Sequence, residues 1–222
     1  MGEAVKRDYR SQLRAEQARA TRRSIVSSAA QLFSANGYGA TTIDAVAAAA
    51  GVSRKTVFTA VGGKLELLKT ALDWAVAGDD EPVSLADRAS IGQLLDEDDP
   101  EALLAGWARL LAAIDARVAP LFQALEVAAS ADAEAAELLT RSQRDRSAGA
   151  RAIVERLCTL GALTAELTVA QAVDVAWLAT DPILYDRMVR IRGWSATRFA
   201  QWLGRTLSRH LLAPDSARRP AT

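Results

Sequence analysis

The chain has 222 residues, half of them apolar and few aromatic, with 27 Lys and Arg balanced by 27 Asp and Glu. That length allows one large domain or a small one joined to a medium one, and the single cysteine, Cys158, excludes an internal disulfide. With no apolar run long enough to span a bilayer and no apolar stretch in its polar first twenty residues, the chain is expected to be a reduced, cytoplasmic protein.

The zero net charge is a cancellation. Residues 1–72 carry eleven Lys and Arg against five Asp and Glu, and residues 73–222 carry the opposite excess of six. A basic head on an acidic body suggests that the head meets a polyanion. Residues 1–20 form a basic arm, frayed or partly helical. A helix is expected from about Ala18 to Ala35, with Ile25, Val26, Ala29, Leu32 and Phe33 on one face. Asn36-Gly37 ends it, with Gly37 placed for a left-handed residue. Thr41 or Thr42 caps a second helix carrying Ile43, Val46, Ala47 and Ala50 inward. Gly51 stops that helix, and Ser53 caps a third over about 54–60 with Val57 and Val61 facing in. Gly62-Gly63 breaks the chain again, and a fourth helix runs from Lys64 to about Ala77.

Gly78 to Pro82 reads as a turn and domain boundary, followed by a short helix within 85–95 and an acidic loop at 96–100. Further helices are expected at about 101–116, 119–130, 132–160, 168–180, 183–192 and 196–212, punctuated by Pro120, Gly161, Pro182 and Gly193. A flexible tail begins at 214. No strand-like alternation occurs, so the fold class is all-α. A three-helix domain at 21–72 precedes a larger helical domain at 73–213.

A helix-turn-helix needs a small residue where its two helices touch, a positive-φ turn residue four positions on, and an apolar anchor in the reading helix. Ala47, Gly51 and Val57 occupy those positions. A plain three-helix bundle with a tight turn would show the same spacing, without the basic surface around it.

From Thr21-Arg22-Arg23 through Phe33, Gly37-Tyr38, Ala40-Thr41-Thr42, Val46-Ala47, Ala50 to Ser53, Thr56-Val57-Phe58, Lys64 and Leu67-Leu68, the chain resembles the N-terminal domain of TetR-family transcriptional regulators. The resemblance implies that Thr42 holds a phosphate and that Ser53 caps the reading helix at the DNA. Arg54, Lys55 and Thr56 would face major-groove base edges, with Phe58 and Thr59 further along. Lys64, Arg22 and Arg23 would contact the backbone. The chain departs from the family pattern at Phe58, which lacks a tyrosine hydroxyl, and at Ala60 and Gly62-Gly63, which weaken anchoring. Lys6, Arg7, Arg10 and Arg14 of the arm are candidates to compensate in an adjacent groove.

The resemblance also implies a homodimer and a small-molecule pocket. Val173, Trp177, Phe199, Trp202, Leu203, Leu207 and Leu211 on two amphipathic helices fit a four-helix dimer interface, and fit burial within the monomer as well. Trp74, Trp107, Phe122, Trp177, Tyr185 and Met188 are candidate lining residues for an apolar or aromatic effector, and each fits core packing as well. Arg141, Arg144, Arg146 and Arg151 read as a solvated face or an anion site. With one histidine, His210, near the C-terminus, and acidic clusters lacking calcium-loop spacing, neither an enzyme, a metal nor a cofactor is expected. The reading is a ligand-responsive repressor that binds a palindromic operator as a homodimer and is released by a small-molecule effector. The alternative is a helical regulatory adaptor that has lost or weakened duplex binding.

Overall fold

The structure, a computed structural model, describes residues 2–81 and 83–214. Most of the tail expected from 214 onward lies outside the described residues. Among the described residues, ten α-helices and a π-helical turn follow one another: α1 (Gly2–Ala40), α2 (Ile43–Ala50), α3 (Arg54–Ala60), α4 (Lys64–Ala77), α5 (Ala89–Leu95), α6 (Pro100–Ala129), α7 (Ala133–Thr159), α8 (Val169–Ala179), α9 (Pro182–Tyr185), the π turn (Asp186–Ile191) and α10 (Ala196–Leu211). Among the same residues there is no strand beyond one antiparallel bridge between Leu163 and Leu212.

Three expectations are corrected. The basic arm is not separate from the first helix, because α1 runs from Gly2 and breaks only at Gly37. Between them stand Ala, Arg, Gln, Glu and Leu, all good helix formers, and no breaker; charge alone had suggested an arm. The side chains of Lys6, Arg7 and Arg10 lie outside what is described. At the break, Gly37 has φ 75° and ψ 177°, an extended positive-φ state reserved for glycine rather than the left-handed helical one. Pro120 likewise fails to divide two helices and sits inside α6. It removes one backbone donor, but Val118, Ala119, Leu121 and Phe122 around it are all buried, and that burial holds the helix through it.

The chain forms two compact units. The first comprises Met1–Ala75 with Pro120–Ala136, and the second Val76–Ala119 with Glu137–Thr222. The expected boundary at 72/73 therefore lies just short of the first crossing, and residues 120–136 return to the N-terminal unit. Helices α4, α6 and α7 each run through a boundary without a loop.

The core of the first unit includes Ile25, Val26, Ala29, Phe33, Val46, Ala47, Val57, Leu67 and Leu68. These recur at helical spacing along α1 to α4, so burying one stripe from each fixes the short helices α2 and α3, which are too short to be stable alone. In the second unit, Leu103, Leu104, Trp107 and Ala108 of α6 share a core with Ile153, Val154 and Leu157 of α7, and with residues of α8 and α10. Its end is tied by Thr164 N–H donating to the Leu211 carbonyl at 2.8 Å and Ala213 N–H to that of Ala162 at 2.9 Å.

Candidate nucleic-acid interface

The competition between Thr41 and Thr42 is resolved by burial. Thr41 is buried and donates its hydroxyl to the Gly37 carbonyl at 2.8 Å. Thr42 is exposed, in extended conformation, and its Oγ1 accepts from Ala45 N–H at 3.1 Å. It therefore caps α2 with its side chain at the surface, where the helix also presents free amide donors.

Gly51 closes α2 at φ 68°, ψ 30°, and Val52 N–H donates to the Ala47 carbonyl at 3.0 Å. This is the left-handed turn expected from the motif. A Cβ at Gly51 would meet nothing within 4 Å, so the cost of a side chain is conformational only. Gly51→Ala is expected to destabilise the protein by about 1 kcal/mol, and Gly51→Asn by less, since Asn tolerates this region. Urea unfolding midpoints of the two variants would check the order.

Ser53 caps α3 by accepting from Thr56 N–H at 3.1 Å, and its hydroxyl lies 2.8 Å from that of Thr56. Val57 is the one buried residue of α3. The remaining surface carries Arg54, Lys55, Phe58 and Thr59, all exposed, with Thr56 half-buried. Arg54 pairs with Asp44 at 3.0 Å, and its guanidinium lies 5.7 Å from the Phe58 ring centroid. Phe58 thus lacks a hydroxyl yet offers a face against which Arg54 is held. The spacing of four between Arg54 and Phe58 was the available signal for this. Thr59 donates its hydroxyl back to the Lys55 carbonyl at 2.9 Å.

Around α3 the other basic residues are held by their own unit. Lys64 Nζ donates to the Gly39 carbonyl at 3.3 Å and lies 4.3 Å from the Tyr38 ring centroid. Burial lowers its pKa from the ordinary lysine value. Tyr38 stacks on Phe33 at 5.9 Å, and burial, with the Asp132 carboxylate nearby, raises its phenol pKa. Arg22 Nη1 lies 3.5 Å from the Ala60 carbonyl, while Arg23 is exposed. Polar caps, a cation-rich helix face and phosphate-sized donors thus share one unit. Such a surface can bind a nucleic-acid backbone and reach into a groove.

In the second unit the expected sites are rearranged. Val173, Phe199, Leu203, Leu207 and Leu211 are buried in the core of this unit. They face inward, as their spacing implied, into the core of their own chain. Trp177 and Trp202 keep partial exposure. Trp202 packs on Phe199 at 5.8 Å and edge-on to Trp194 at 6.0 Å. The six pocket candidates do not fall in one unit. Trp74 and Phe122 belong to the first, while Trp107, Trp177, Tyr185 and Met188 pack in or against the core of the second.

Sequence reasoning missed a buried polar group there. Asp115 on α6 is 2 % exposed, and its Oδ2 has no hydrogen-bond partner. Burial, opposed by Arg146 and reinforced by Asp181, pushes its pKa up to about 8. Arg146 departs from its exposed neighbours Arg141, Arg144 and Arg151. It pairs with Asp181 at 3.2 Å, donates Nε–H to the Thr180 hydroxyl at 3.2 Å, and lies 5.7 Å from the Trp177 ring centroid. The acidic loops have structural partners instead. The Arg88 guanidinium, 2.6 Å from Asp79, holds that carboxyl at about 2, and Asp98 pairs with Arg156 at 2.8 Å.

Residues 25–71 match the family model described as bacterial regulatory proteins, tetR family. None of the curated protein sequences matches the chain. Solved structures share its fold along most of its length. The TetR family transcriptional regulator PfmR from Thermus thermophilus is 26% identical, with 86% of this chain and 96% of that chain covered at a TM-score of 0.58. The fatty acid degradation regulator FadR from Bacillus halodurans aligns at 15% identity over 85% and 94%, TM-score 0.67. A protein from Saccharomonospora viridis in complex with choline aligns at 16% identity over 87% and 98%, TM-score 0.66. The segment that forms the capped α2–α3 pair thus matches the tetR-family domain, and the fold around it is that of TetR-family regulators.

Proposed function

We propose that the protein is a homodimeric, effector-responsive repressor that acts in the cytoplasm on a palindromic operator, with no catalytic activity of its own. The observation that carries this is α3. It buries Val57 in its unit and leaves Arg54, Lys55 and Thr59 exposed beside the capped start of α2. In this reading Arg54, Lys55 and Thr56 meet base edges, while Thr42, Ser53, Lys64, Arg22 and Arg23 position the backbone. Arg54 must exchange Asp44 for DNA. Lys64 is poised at the N-terminus of α4, where an incoming phosphate also finds helix amides.

The dimer contact would fall to the faces that α8 and α10 leave open. Leu178 and Val169 on α8 are exposed at 60% and 44%, and Trp177 and Trp202 contribute what they keep at the surface. A small molecule in the second unit would favour one arrangement of the reading helices over another, with α4 as the helix that carries the chain from reader to body. A neighbour of this fold solved with choline supports a small-molecule site.

Selection of genomic fragments by the full-length protein, followed by sequencing, tests the reading. One short palindrome with half-sites a whole number of helical turns apart is expected, bound with an affinity that falls steeply with salt. No enrichment at moderate salt would replace the repressor with a helical adaptor that no longer reads duplex DNA.

A further inference from the structure

The second unit holds one carboxylate whose neighbourhood leaves it uncompensated. Asp115 lies on the inward face of α6, between the buried Ile114 and Val118, and is itself buried. The charged and titratable groups that bear on it are Arg146 from α7, Asp181 just before α9, and Tyr185 of α9. Arg146 is turned elsewhere: its Nη2 forms an ion pair with Asp181 at 3.2 Å without a hydrogen bond, and its Nε–H bonds Thr180. One guanidinium therefore stands against two carboxyls, and its ion pair is with Asp181. Asp115 Oδ2 is left without a hydrogen-bond partner, and so is the indole Nε1 of Trp177, whose ring lies 5.7 Å from that guanidinium. Buried polar atoms in folded proteins are almost always bonded. Unsatisfied atoms on Asp115 and Trp177, beside the Arg146–Asp181 ion pair and near Tyr185, mark a place where a ligand completes the bonding.

We propose that Asp115 is the anion that anchors the effector, and that the effector is an organic cation, an amine or quaternary ammonium on an apolar skeleton. The assignment rests on the effector-responsive reading above and names the ligand class of that site. With Asp115 ionised, two carboxylates against one guanidinium leave room for one further positive charge. An ammonium N–H donates to Oδ2, and a quaternary nitrogen lies against it electrostatically. The faces of Trp177 and Tyr185 attract either kind of cation. An anion would face the Asp181 carboxylate, and the guanidinium beside it already pairs with that carboxylate. Without ligand, burial keeps Asp115 protonated at neutral pH. Cation binding draws the carboxyl into its charged form, so the acid proton leaves Asp115 for the buffer as the ammonium takes its place.

The test uses the full-length protein at pH 7 with a matched panel on one skeleton: 2-phenylethylamine, its trimethylammonium derivative, 2-phenylethanol and 3-phenylpropanoate, with the hexyl series alongside. Thermal shift and calorimetry read binding. The ammonium members are expected to raise the melting temperature and the alcohol and carboxylate members to leave it in place. Calorimetry in buffers of different ionisation enthalpy is expected to show release of close to one proton per site. Asp115→Asn should weaken ammonium binding at least thirtyfold, and its melting at pH 5 shows whether that variant is folded. Equal or better binding by the neutral or anionic members would overturn the assignment. So would the absence of binding by every ammonium member, ammonium binding unchanged in Asp115→Asn, or binding without proton release. DNA binding by the same preparation keeps the two readings apart. A selected operator that is released by a neutral or acidic compound leaves the repressor standing and removes the cation. Ammonium binding by a protein that selects no DNA does the reverse.

Discussion

Asp115→Asn is expected to raise the melting temperature at pH 9 by about 10 °C and to leave it nearly unchanged at pH 4, the pH at which the acid begins to ionise in the unfolded chain. The sign follows from where the proton resides. In the folded protein the pKa is about 8, above the ordinary carboxyl value of 3.8, because burial penalises the charged form. Between those values the folded state keeps a proton that the unfolded chain releases. Wild-type stability is therefore greatest below the lower value, falls as pH rises through the window, and levels off above the upper one. Each pH unit between the two values corresponds to about 1.4 kcal/mol, so the full span amounts to roughly 6 kcal/mol, a large part of what holds a domain of this size together. Asn keeps the shape and cannot charge, which removes the slope. Parallel slopes for both proteins in pH-dependent melts would show that Asp115 is solvated after all.

The second large effect concerns α3. Replacing both Arg54 and Lys55 by Ala is expected to lower affinity for the selected operator at least a hundredfold. Good contacts to base edges are worth roughly 1–3 kcal/mol each, and a dimer loses each of them twice. Single variants should differ in kind. Arg54 in the free protein is bonded to Asp44 at 3.0 Å, an exposed pair worth little, so its release costs little on binding. Arg54→Ala and Lys55→Ala should each relax the choice of base at one position of each half-site. Lys64→Ala should instead weaken binding evenly across sequences and flatten the salt dependence. Fluorescence anisotropy on the operator and on single-base variants separates these outcomes. Specificity retained by the double variant would move the reading surface away from α3.

The reading head was legible because its determinants are local. Caps, a positive-φ glycine and a buried stripe every three or four residues are each set by a few neighbours in the chain. Thr42 and Ser53 cap as their side chains allow, Gly51 turns, and Val57 faces in. Only Thr41 required the fold, since its burial is what removes it from the competition. The body was less legible because its chemistry depends on which helices meet. The periodicity of α8 and α10 marked Val173, Phe199, Leu203, Leu207 and Leu211 as inward but could not say whose interior they enter. Asp115 is a single acid in an apolar run, and Arg146 one arginine among several on α7. Nothing in the sequence near either shows that α6, α7 and the start of α9 bring them together. Pro120 is the same lesson for the backbone, a breaker by local rule that buried neighbours hold within a helix.

The return of residues 120–136 to the first unit bears on how such a protein can be cut and recombined. Leu121, Phe122, Leu125 and Ala128 are buried, and they belong to the unit that holds the reading helices. A fragment ended at residue 75 would lack them and leave the apolar surface they cover open to water, an aggregation-prone patch rather than a finished module. The head is thus discontinuous along the gene. Moving it onto another body takes junctions at 75/76, 119/120 and 136/137, each of which must be made inside a helix and in register with its turns.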